Sequence, residues 1–297
     1  MTGATDPGGA DGVSSGPDGD GSGAGHGRIG AGGAETAGLP TLVAAVVYKR
    51  ALLLARYPVN TLTQFAGVYL FFAVVFFGGQ AAANAAGGAA AFAETFEGLV
   101  VGWFLWTMSL TAYFSLAQNV TDESQWGTLE QLYMTPFGFG SVMAASVLAY
   151  LLESLAWGAG ILALMLVTTG RSLAVDVLTV GPVSVLALLG VVGIGFVLAG
   201  LALVYKRIEN VTQLMQFAFI GLIAAPVADI APLRYLPLVQ GSAMLQAAMH
   251  DGVRLWEFPV TDLAVLVGTG VAYCLAGYWV FRRMAHRARR EGVMGHY

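Results

Sequence analysis

Charge is scarce in this sequence. Only 11% of its 297 residues are Asp, Glu, Lys or Arg, where a soluble domain carries about a quarter. Hydrophobic residues make up 57%, and mean hydropathy is +0.70. A soluble body of this composition could not cover its apolar surface, which argues against a soluble enzyme, an extracellular scaffold or a nucleic-acid binder. Cysteine is nearly absent. Cys274 stands alone, so no intrachain disulfide and no cysteine-based zinc site can form. Lysine occurs twice, as Lys49 and Lys206, each after a tyrosine. A Gly-Lys-Ser/Thr phosphate loop is therefore excluded, and the chain carries no ATP site of that kind. No HExxH and no GxSxG occurs, and His250, His286 and His296 have no second ligand at helical spacing. Catalysis and metal binding within this chain are accordingly not expected. Apolar/polar alternation is missing too, which argues against β-barrel strands.

The sequence has instead a polar tail and a series of long apolar runs. Residues 1–39 hold fourteen glycines and carry the whole net charge of −4. Such a segment cannot bury enough surface to offset its ordering entropy, so it reads as a disordered acidic tail. It has neither the basic start nor the apolar centre of a signal peptide. Residues 41–57 show helical apolar spacing interrupted by Lys49, Arg50 and Arg56. That pattern predicts a helix lying in the membrane interface with its basic side chains reaching headgroups. Six apolar segments follow, at about 59–78, 98–118, 141–168, 183–205, 211–228 and 260–281. A helix needs about 20 residues to cross the hydrocarbon, so six spans are expected.

With six spans, all but Arg171, Arg234 and Arg254 of the 14 basic residues fall on the side of both termini. That side is then the cytoplasm, and the protein a multi-pass protein of the plasma membrane. The connection 79–97 is small and acidic and reads as an outer loop. The connection 229–259 is punctuated by Pro232, Pro237 and Pro259 yet apolar between them. It reads as short helices re-entering the outer leaflet. The basic run from 286 to 297 reads as a cytoplasmic tail on anionic lipid.

The inner connection 119–140 has three acids and no basic residue. From Trp126, apolar side chains recur at Leu129, Leu132 and Tyr133, and the helix is stopped near Pro136. A short amphipathic helix with acids alongside suits the groove of a partner protein. The other reading is a helix lying on the membrane surface, although such helices usually carry Lys or Arg. Glu153 is the one formal charge well inside a span. A charge there costs about 2.5–3.5 kcal/mol on the insertion scale, so Glu153 should face protein or water. It either lines a substrate path or is a structural glutamate between helices. Gly190, Gly193, Gly195 and Gly200 predict close helix packing in the fourth span. The spans are otherwise almost free of charge, which favours lipophilic substrates.

The stretch Glu123-Ser-Gln-Trp-Gly-Thr-Leu-Glu-Gln-Leu132, followed by Thr135-Pro136, resembles the segment after the second span in the permease subunits of type-2 ABC exporters. The segment 235–246 also resembles that family's outer stretch. There Val239 and Gln240 replace a Thr-His pair, and Gln246 stands where an Arg is common, so roles of those residues do not carry over. The resemblance covers about residues 40–285. It implies an all-α polytopic fold with an N-terminal interfacial helix, six spans, a cytoplasmic coupling helix and re-entrant outer helices. It also implies a permease half that pairs with a second one, as homodimer or heterodimer, and docks on a separate ATP-binding subunit holding ATP and Mg. The coupling residues implied are Glu123, Trp126, Gly127, Thr128, Leu129, Glu130, Leu132, Tyr133 and Pro136. Within them Glu130 would pair with a base on the ATPase, Thr128 would cap the helix, and Gly127 would permit the sharp turn into it. On the residues alone two other classes stay open. An ion-coupled secondary transporter would need intramembrane charges on several spans. A membrane assembly subunit would transport nothing.

Overall fold

The structure, a computed structural model, describes residues 39–125, 138–170, 173–205, 208–225 and 230–290. These residues are predominantly helical, with no strand among them. The helices are α1 (Leu39–Arg56), α2 (Pro58–Ala85), α3 (Ala89–Gln125), α4 (Gly138–Thr169), α5 (Val177–Tyr205), α6 (Glu209–Ile223), α7 (Val239–His250) and α8 (Val260–Arg290). Two single 3-10 turns, Ala231–Tyr235 and Leu255–Glu257, flank α7. Five of the helices, α2, α3, α4, α5 and α8, are long and apolar enough to cross a membrane, the architecture of a multi-pass membrane protein. The acidic tail expected at 1–39 lies, up to residue 38, outside the described residues, as do 291–297 of the basic tail.

Two expectations change. The fifth segment, expected to span at 211–228, forms only the 15-residue α6. At 1.5 Å per residue that is about 22 Å, short of the roughly 30 Å of hydrocarbon. The outer loop expected at 79–97 is almost wholly helical. Alanine is the strongest helix former, and the alanine-rich stretch lets α2 run to Ala85 and α3 begin at Ala89. The connection shrinks to residues 86–88, where Gly87 takes φ +74°, a conformation open to a residue without Cβ. This end of the bundle is called the turn end below, and the end bearing the 126–137 connection the loop end.

The core is built around α3 and α5, from which Val100, Leu105, Met108, Leu188 and Val191 are fully buried. Asp176 opens α5 at the turn end: its carboxylate accepts the Leu178 N–H and, at 2.7 Å, the Thr179 hydroxyl. The Thr179 oxygen in turn accepts the Leu255 N–H at 2.9 Å. These bonds anchor the segment after α7 to the start of α5. At the same end an ion pair joins Arg234 to Asp262 at 2.8 Å, and the His250 ring meets the Glu97 carboxylate.

Helix α8 packs along α5 in the same direction. A methyl group added at Gly277 would fall on the Gly193 carbonyl, and one at Gly193 on the Tyr273 carbonyl. One at Gly270 would approach the Leu186 oxygen to 2.8 Å, and one at Gly200 would approach Met284 Sδ to 2.9 Å. The contact positions advance together by seven residues on each helix, the spacing of a shallow left-handed crossing. The expected role of the glycines is thus met at backbone contact distance. Helix α7 is buried against α5, with Gly241 on Ala187, and the Ser242 hydroxyl donates to the Ile223 carbonyl at 2.9 Å.

Candidate functional site

One large cavity, of about 860 Å³, lies among α1, α2, α3, α4 and α6. It follows α3 from Glu123 at the loop end to Thr107, a run of about 24 Å. Its volume is in the range of small-molecule sites, about 300–1,000 Å³. Its walls differ with depth. Asp122 and Glu123 stand at the loop end, Arg50, Tyr150 and Glu153 at mid-depth, and Gln64 and Gln216 further in. The spans looked almost uncharged in sequence, but this interior carries charged and polar side chains set in a largely apolar wall. Polar side chains are spread singly over several helices and converge only in the fold.

Glu153 is the buried charge of the cavity, with 5% of its side chain exposed. It is not alone. Arg50 of α1 grips it with two bonds, Nε to Oε2 at 2.5 Å and Nη2 to Oε1 at 3.1 Å. Nη2 also reaches Ser115 Oγ of α3 at 3.2 Å, and the guanidinium carbon lies 5.3 Å from the centre of the Tyr150 ring. The Tyr150 hydroxyl is bonded by the Asn119 amide. A two-bond Arg–carboxylate contact fixes orientation as well as charge, and stacking on an aromatic face adds a further attraction. This arrangement satisfies the charge that sequence reasoning left without a partner.

Arg50 therefore does not reach headgroups as the interfacial reading of α1 expected. The missed signal is its register. Leu42, Val46 and Leu53 share one face of α1, and Arg50 stands on that face, four residues after Val46 and three before Leu53. A cation on an apolar stripe needs an anion opposite, and Glu153 is the one intramembrane candidate.

The deep wall is held by side chains of α3 that bond the backbone of α6. Tyr113 donates to the Thr212 carbonyl at 3.0 Å, and Trp106 Nε1 to the Gln216 carbonyl at 3.3 Å. Gln64, Gln213 and Gln216 also line the cavity. Of the coupling residues, Glu123 lies in the last turns of α3 and lines the cavity. Trp126, Gly127, Thr128, Leu129, Glu130, Leu132, Tyr133 and Pro136 lie outside the described residues. Comparison with protein-family models, with curated proteins and with solved structures finds no match to this chain.

Proposed function

We propose that this chain is the permease subunit of an ATP-driven exporter of the type-2 ABC class, resident in the plasma membrane, with ATP and Mg held by a separate subunit. The observation that carries the reading is that the cavity is walled mainly by the two helices that the 126–137 connection links in sequence, α3 and α4. A pull on that connection would move two walls of one chamber, which is the mechanical linkage an outside motor needs. The resemblance of 123–136 to a coupling segment supplies the identity of the motor.

In this reading the chain crosses the bilayer six times with both termini in the cytoplasm. Helix α6, though short, runs antiparallel to α3: Thr212 meets Tyr113, Gln216 meets Trp106, and Ile223 meets Gly102. With α5 and α8 parallel, the intervening chain has to return to the turn end before α8 begins. Helix α6 and the segment up to α7 make that return, and α7 is a buried re-entrant helix of the outer half. A second permease half completes the assembly.

The test is a purified complex reconstituted in vesicles. Co-purification of an ATP-binding chain is expected. Glu130→Arg should lower transport-coupled ATP hydrolysis at least about tenfold, the factor that corresponds to about 1.4 kcal/mol at the contact. Shortening of 126–134 should abolish it. Unchanged coupling in both variants, or the absence of any ATPase partner, would remove the exporter reading.

A further inference from the structure

We propose that the cavity is a binding site for planar, amphiphilic organic cations, and that the ligand's cationic group takes the place of Arg50 on the Glu153 carboxylate. The proposal names a substrate class for the permease reading and rests on it for transport, though not for binding.

The chain's own guanidinium is the template. Arg50 is a planar cation held edge-on by a carboxylate and over the face of Tyr150. A delocalised cation on a small molecule finds the same two partners. Exchange is sterically open on the Arg50 side, because its side chain is 34% exposed while that of Glu153 is 5% exposed. The wall also carries more acid than base. Glu153, Glu123 and Asp122 line it against Arg50 and Lys49. A ligand cation that frees Arg50 toward solvent leaves every buried charge paired, whereas an anion would add to the excess and leave Glu153 in place. Phe114, Trp157 and Tyr113 offer further aromatic surface, and Leu42, Val46 and Val68 an apolar one, as a ring-bearing cation requires. Exchange also has a mechanical consequence. Helix α1 is held chiefly to α4, so a ligand that displaces Arg50 loosens α1 from the bundle.

The full-length protein, purified in detergent, is titrated with ethidium, followed by its fluorescence, and with fluorescein as an anion of comparable size. Wild-type protein should bind ethidium saturably and fluorescein weakly or not at all. Glu153→Gln should weaken ethidium at least about tenfold, the loss of one charged contact. Arg50→Gln, which removes the internal competitor, should leave ethidium binding unchanged or tighten it. A structural role for the pair would weaken both variants alike, and that outcome overturns the proposal, as would fluorescein binding as tightly as ethidium. A third arm needs no variant. Ethidium monoazide photolysed on wild-type protein should label peptides containing 42–53, 107–123 or 142–157, and label confined to α5, α7 or α8 overturns the site. The permease reading fails or stands separately. A chain that binds ethidium through Glu153 but never meets an ATPase keeps this site and loses the exporter. A chain that meets an ATPase but binds no ethidium keeps the exporter and loses this site.

Discussion

Arg50 and Glu153 belong to helices 103 residues apart in sequence, and each makes the other tolerable in an apolar wall. A fully buried pair loses about 3–5 kcal/mol when one partner is removed. Because Arg50 is one-third exposed, Glu153→Ala or Arg50→Ala should cost less, about 2 kcal/mol. Replacing both by Met should recover most of that loss, since no unpaired charge remains. Thermal unfolding of the four proteins in one detergent checks the order. A double variant as unstable as the worse single one would mean that the geometry matters beyond charge. Tyr150 is a milder case. Tyr150→Phe keeps the ring under the guanidinium and deletes only the bond from Asn119. A loss of about 1 kcal/mol is expected, with Tyr150→Leu falling further because the stacking goes as well.

At the scale of elements, the α5/α8 seam makes the sharpest prediction. Gly193→Ala and Gly277→Ala each place a methyl on a backbone carbonyl rather than on a side chain that could rotate away. Each should cost about 1–3 kcal/mol through forced separation of the helices. Gly268→Ala, with open space around it, should cost nothing measurable and serves as the control in the same melting assay. The long helices and the α5 glycines of the seam, Gly193 and Gly200, were legible in the sequence, because apolar length and small residues speak directly to lipid and to close approach, while Gly270 and Gly277 opposite them were not. Helix ends were less so. Alanine-rich 79–97 reads as a loop by its small and acidic residues, while its intrinsic propensity makes it helix. The cavity was the least legible of all. Gln64, Asn119, Glu153 and Gln216 sit on four separate helices, and only the packing puts them in one wall. Glu153 showed as the one charge well inside a span, and Arg50 left a trace by standing on the apolar face of α1.

For the molecule as a whole, the parallel arrangement of α5 and α8 constrains the topology. In a Cys274→Ser background, Ala86→Cys and Asp251→Cys should react with an impermeant thiol reagent added outside intact cells. Asn210→Cys should react only after the cells are opened. Asp251→Cys labelled from the same side as Asn210→Cys would mean that α6 returns without crossing, and the basic end of α8 would then face outward.

The distance along the chain between Arg50 and Glu153 also sets an order of events during synthesis. At about 5–20 residues per second, α1 leaves the ribosome roughly 5–20 s before its anion has been made. Through that interval the guanidinium has to be solvated by headgroups and water, so the nascent α1 floats on the leaflet surface and docks only after α4 inserts. Ribosome-stalled chains ending before residue 153 should therefore leave position 50 open to a water-soluble probe that is excluded once α4 is present. The finished bundle hides a step in which its first helix waits at the water's edge.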